Sequence, residues 1–250
     1  MSNHRCVVIA VCIALLTVAW WYFGYEPVPP LTFSNTQTLG EPHKLASEKT
    51  GWGRELLFTV APPPSNHSQK TKAELAELHR LVASRTPEMV QQIENNIVLT
   101  TADWVPSLTE AALFRPEYRA TRLYINDTQD MFLTVVLGYK LKYDRVRPSY
   151  LDPSLEPIIT TPAHPAYPSG HAAQSRLMSL LLGALMPEEQ DAFIRISDQI
   201  AFEREVAGVH YKSDSTAGQQ LAEDYYEWLL TQPQFIALQR AAQAEWKNDQ

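Results

Sequence analysis

Proline placement constrains this chain more than any other feature. Eighteen prolines stand against nine glycines, and segments of helical apolar spacing begin at one proline after another: Pro87, Pro116, Pro187 and Pro233. Proline lacks the N–H that an interior helical residue donates, yet its fixed φ suits the first helical position. Convincing period-2 alternation, the mark of a half-buried strand, does not occur in the sequence. The expectation is a mostly helical domain over residues 68–250 with irregular, proline-rich links. The spacing predicts helices over 68–84, 86–99 and a short one from 107 stopped by Pro116. A long helix over 116–141 follows, then 172–186, 187–206, 212–232 and 233–246.

Ahead of this domain, residues 6–25 carry no charge. At about 1.5 Å per residue such a helix would span roughly 30 Å, the thickness of a bilayer core. Arg5 precedes the run, and Trp20, Trp21, Tyr22 and Tyr25 crowd its far end, where aromatic residues favour a membrane interface. A cleaved signal peptide would have a shorter apolar region, and no A-x-A-like site follows. The expectation is therefore one transmembrane anchor at 6–25, a cytoplasmic stub at 1–5 and a catalytic domain on the extracytoplasmic side. Residues 26–67 read as a proline-rich arm or linker. Both cysteines, Cys6 and Cys12, lie in the apolar run, so the domain can form neither an internal disulfide nor a thiolate metal cluster. The net charge of -7 disfavours nucleic acid as a partner. Nothing in the sequence speaks to oligomeric state.

Three groups of charged and polar residues suggest chemistry. The first is Lys140 followed seven positions on by Arg147-Pro148. A residue before proline avoids the helical region, so Arg147 is expected in extended backbone just past a helix end. Lys142 and Arg145, between them, read as solvated neighbours. The second is Pro168-Ser169-Gly170-His171, where a proline-rich loop enters an apolar helix. Ser169 suits the cap, Gly170 admits close approach of a ligand, and the first turn's N–H groups favour an anion. The third is Arg204, His210 and Asp214. If that segment is helical, His210 and Asp214 share a face, and the carboxylate fixes the tautomer of the imidazole. Together these groups supply three cations, two of them planar forks suited to phosphate oxygens, and two acid/base groups. That is an inventory for phosphoryl transfer by positioning and charge stabilisation, with no metal needed.

The three groups, in this order and spacing, resemble the motifs of the type 2 phosphatidic acid phosphatase and vanadium haloperoxidase superfamily, which includes bacterial non-specific acid phosphatases. The similarity covers about residues 130 to 220. It implies an all-α bundle and a phosphohistidine mechanism: His210 attacks phosphorus, Asp214 holds it, and His171 protonates the leaving oxygen and then activates water. Lys140, Arg147, Ser169, Gly170 and Arg204 would bind the phosphate. The family commonly has serine before the third-motif arginine, where this chain has Glu203.

The leading expectation is a phosphatase for small-molecule or lipid phosphate monoesters, tethered to a membrane and needing no cofactor. Vanadate would bind the same pocket as an inhibitor. A vanadate-dependent haloperoxidase, with vanadate as its cofactor, is the alternative from another reaction class. A non-catalytic module that binds phosphate-bearing ligands is the third.

Overall fold

A computed structural model of the chain describes residues 31–34, 58–98 and 100–247. The predicted span at 6–25 lies outside them. The described residues contain helices and no strand. None of these helices is long and apolar enough to cross a membrane.

The helices are α1 (Gln69–Ala83), α2 (Pro87–Asn95), α3 (Glu110–Leu113), α4 (Arg119–Arg122), α5 (Thr128–Tyr143) and α6 (Pro148–Leu151). After them come α7 (Gly170–Leu185), α8 (Gln190–Val206), α9 (Lys212–Leu229) and α10 (Pro233–Lys247). Local chemistry sets several ends. Ser68 and Thr86 accept from the Thr71 and Met89 amides and cap α1 and α2. The long helix expected from Pro116 is realised in pieces. A tight 3-10 turn (Pro116–Tyr118) leads into α4, a π-helical segment (Leu123–Asp127) and then α5. Asp144 stops α5 in the left-handed region at φ 46, a conformation that Asp tolerates better than most residues.

Helix α7 is the axis. It packs most extensively on α8 and α9, and also on α5 and α10. Leu177, Leu181 and Leu182 are fully buried in a core shared with Phe132, Val136, Leu221 and Tyr225. Each such side chain contributes about 1.5–3 kcal/mol by leaving water. A helix as leucine-rich as 177–186 is stable in this way at the centre of a bundle. A second, smaller core joins Leu78 and Leu81 of α1 and Ile93 of α2 to Val206, Val209 and Tyr211. It braces the turn between α8 and α9. Gly208 sits in that turn at φ 76, which glycine adopts at little cost, and the chain reverses there toward His210.

The expected arm is laid partly on the domain. Phe33 is buried, its amide bonded to the Asp144 carbonyl. The hydroxyls of Tyr139, Tyr143 and Tyr167 donate to the carbonyls of Phe58, Val60 and Ala61.

Candidate active site

Three links of the chain converge at one place. Lys140, in the last turn of α5, extends its ammonium to the carbonyls of Pro165, Ala166 and Pro168 at 2.9, 3.2 and 2.6 Å. Arg147 is extended, φ -70 and ψ 153, and N-caps α6 ahead of Pro148, as its sequence context requires. Its Nη1 donates to the Val209 carbonyl at 2.8 Å and lies 2.9 Å from His210 Nε2. Ser169 caps α7, its Oγ accepting from the Ala172 amide, while its own amide donates to the Asp214 carbonyl at 2.9 Å. The first motif thus touches the second through Lys140 and the third through Arg147. The second touches the third through Ser169.

Asp214 and His210 meet at 3.1 Å, Oδ2 to Nδ1, but not on a helix face as the spacing suggested. Helix α9 begins only at Lys212, and Asp214 is its third residue. From there the carboxylate reaches back to the Tyr211 amide at 3.0 Å, as capping-box acids do, and so comes alongside His210 in the preceding turn. Arg147 is an obligate donor, so the network assigns the neutral ring its proton on Nδ1, facing Asp214, and its lone pair on Nε2.

His210 is buried and its basicity falls well below the ordinary histidine range. Desolvation is the main cause, followed by the charges of Arg147, Lys140, His171 and Arg204. The half-buried His171 is pushed down to about 4, by desolvation and then by Arg204. Its Nε2 donates to the Ile97 carbonyl at 3.0 Å. Burial also lowers Lys140 and brings Arg147 to about 10. Two imidazoles and three cations therefore share one field around His210.

Arg204 is the least satisfied member. It is 1% exposed, and its Nη2 donates to the Ile93 carbonyl at 3.3 Å, yet its Nε and Nη1 are buried with no hydrogen-bond partner among the described residues. Glu203 reaches Arg204 only at 3.7 Å and instead accepts from Asn96 at 2.7 Å. Gly170 has room around it. A Cβ added there would meet Lys140 Cε at 3.8 Å, an ordinary contact.

The structure corrects the reading of Arg145. It is not a solvated neighbour but a buried residue, bonded to Asp214 Oδ1 at 2.5 Å, Ser213 Oγ at 2.7 Å and Glu74 Oε2 at 3.3 Å. Its guanidinium lies 3.9 Å over the Tyr211 ring. Glu74, on α1, also accepts from the Ser213 amide at 2.7 Å. Sequence reasoning missed both residues. The one available signal was a third basic residue two positions before Arg147.

Among the described residues, an all-α bundle thus gathers three cations, two histidines and an aspartate around buried Arg204 donors that have no partner. No protein-family profile matches the chain. Over 70 residues it is 34% identical to a non-specific acid phosphatase of Salmonella typhi, a stretch that makes up 28% of each protein. A bacterial vanadium-dependent iodoperoxidase superposes with TM-score 0.50 at 17% identity, covering 82% of this chain and 62% of that one. A transmembrane PAP2-type phosphatidylglycerolphosphate phosphatase from Bacillus subtilis superposes with TM-score 0.43 at 17% identity, covering 65% and 87%. The iodoperoxidase likeness shows a shared all-α fold, and the acid-phosphatase likeness spans little more than a quarter of either protein.

Proposed function

We propose that this chain is a phosphatase that hydrolyses phosphate monoesters through a phosphohistidine intermediate, without a metal. The observation that carries this reading is Arg204, buried with two unpaired N–H donors inside a cluster that is already cationic. Buried donors without acceptors and buried like charges are both costly, and a tetrahedral oxyanion relieves both at once. In this reading Arg204, Arg147 and the first-turn amides at Gly170 and His171 grip the phosphoryl oxygens. Lys140 contributes charge and holds the loop that delivers Ser169.

His210 Nε2 then attacks phosphorus as the ester P–O bond breaks, while Asp214 stabilises the imidazolium. His171 passes a proton to the leaving alkoxide. In the second half it takes a proton from water, whose oxygen attacks phosphorus and breaks the P–N bond. Vanadate, an oxyanion of similar shape, fits the same donors and acts here as an inhibitor. Peroxide-dependent halide oxidation with vanadate is the competing outcome.

The test is release of inorganic phosphate from p-nitrophenyl phosphate, with acid-quench trapping of the phosphoenzyme. His210→Ala is expected to lower kcat by at least about 10³ and to abolish trapping. Full activity in that variant removes His210 as the nucleophile. We further propose that residues 6–25 anchor the enzyme in a membrane with the catalytic domain on the extracytoplasmic side. Persistence in the membrane pellet after alkaline carbonate washing is expected, and full release refutes the anchor.

A further inference from the structure

His171 forms part of the wall of a cavity of about 410 Å³. The cavity presents amides from Asn126, Gln129 and Gln174, hydroxyls from residues 100 and 101, the Trp104 ring and the Asp130 carboxylate. No lysine or arginine is among its described lining residues. Gln129 donates from Nε2 to the Gln174 carbonyl at 2.9 Å, while its Oε1 is buried with no hydrogen-bond partner. A buried acceptor left in this way calls for a donor. Asn126 belongs to the π-helical segment, a distortion that recurs where side chains are turned to function.

We propose that this cavity receives the leaving alcohol and is built for a neutral, hydroxyl-rich one of hexitol or monosaccharide size. The inference rests on the phosphomonoesterase reading above and names its substrate class. His171 delivers the proton to the departing oxygen, so the released alcohol lies in the space that His171 walls. Hydroxyl groups there donate to Gln129 Oε1 and Asp130 and accept from the amides of Asn126 and Gln174. Trp104, Leu113 and Met178 give the cavity apolar surface for the C–H groups of a carbohydrate. An acyl chain would leave Gln129 Oε1 without a donor and cover the Asn126 and Gln174 amides. A leaving group bearing a second phosphate would face the Asp130 carboxylate with no cation to offset it.

The experiment uses the full chain and compares kcat/KM for sorbitol 6-phosphate, n-hexyl phosphate, dioctanoyl phosphatidic acid in mixed micelles, and p-nitrophenyl phosphate. Each hydrogen bond is worth roughly two- to tenfold, so sorbitol 6-phosphate is expected to exceed hexyl phosphate by about tenfold or more. Gln129→Leu is expected to shrink that ratio by about threefold or more. Asn126→Ala is read by the same ratio and serves if the first variant does not fold. Equal or better turnover of hexyl phosphate or of the lipid overturns the inference, as does a ratio unmoved in both variants, while the phosphatase reading stands. Absence of phosphate release from all four substrates overturns that reading and this inference with it.

Discussion

Replacing Arg145 by methionine tests whether the site rests on a buried ion network. The guanidinium is the only cation bonded directly to Asp214 and Glu74 among the described residues. Side-chain exposures are 2% for Arg145, 8% for Glu74 and 0% for Asp214, so water cannot replace it. Removing one partner of a buried pair typically costs 3–5 kcal/mol, because the other charge stays behind. Here two carboxylates stay behind, which places the expected loss at the upper end, about 4–5 kcal/mol. At roughly 2–4 °C per kcal/mol for a domain of this size, Tm falls by about 8–20 °C. Asp214 also loses the fork that fixes it opposite His210, so kcat falls more than KM rises. Arg145→Lys restores charge without the planar fork. It should recover part of the stability but less of kcat. The measurements are thermal denaturation and p-nitrophenyl phosphate kinetics on the three proteins. A Tm within 2 °C of the parent in Arg145→Met, with kcat within about threefold, would refute the argument.

Gly218→Ala would set a Cβ 2.5 Å from the Ser169 carbonyl oxygen and 3.1 Å from the Ala173 amide nitrogen, both backbone. Overpacking of this kind costs about 1–3 kcal/mol, so a lower Tm and a raised KM from a displaced Ser169 turn are expected; unchanged values would show that the two helices separate freely. Arg204→Lys exchanges a fork for a point charge, and inhibition by inorganic phosphate should weaken about tenfold or more, measured as a competitive constant. Both histidines are depressed in the fold, His171 to about 4 and His210 well below its ordinary range, so below pH 6.5 the unfolded chain binds protons that the native one refuses. Stability is therefore complete above pH 6.5 and declines as pH falls toward 4, and saturating phosphate should move the acid-unfolding midpoint to lower pH.

How much of this was legible in the sequence follows from the range of each interaction. Helix starts at Pro87 and Pro233 depend on one or two neighbouring residues, and they were readable, whereas Pro187 opens a 3-10 turn and the α-helix begins only at Gln190. The extended conformation of Arg147 was readable for the same reason, since Pro148 alone dictates it. The His210–Asp214 pair was readable as a spacing but not as a geometry. Four residues separate two positions on a helix face, and equally a turn residue and the third residue of the next helix. Arg145 and Glu74 lie 71 positions apart, and each looks like an ordinary surface charge until the fold removes water from both. The need for glycine at 218 was not legible in the sequence, because its reason is the backbone of another helix pressed against it. Local chemistry was visible, while the support behind it was created by tertiary burial.

That burial bears on how the proposed site would hold both a nucleophile and an acid. Burial, reinforced by the neighbouring cations, keeps His210 neutral with its Nε2 lone pair available and drives His171 down to about 4, so that near neutrality it holds only the proton it donates to Ile97. A neutral His171 cannot protonate a leaving group. In the proposed reaction the incoming phosphate offsets the charges of Arg204, Lys140 and Arg147, which add to the effect of burial, and so raises the basicity of His171. A phosphate monoester has its second ionisation near pH 6, so below that pH the monoanion also carries a proton into the site. Between about pH 4 and 6 the free enzyme presents neutral imidazoles to a substrate that supplies both the neutralising charge and the proton. For the proposed phosphatase, burial and the cation cluster together favour acidic working conditions, and weakening the cluster at Arg204 should carry the optimum toward neutrality.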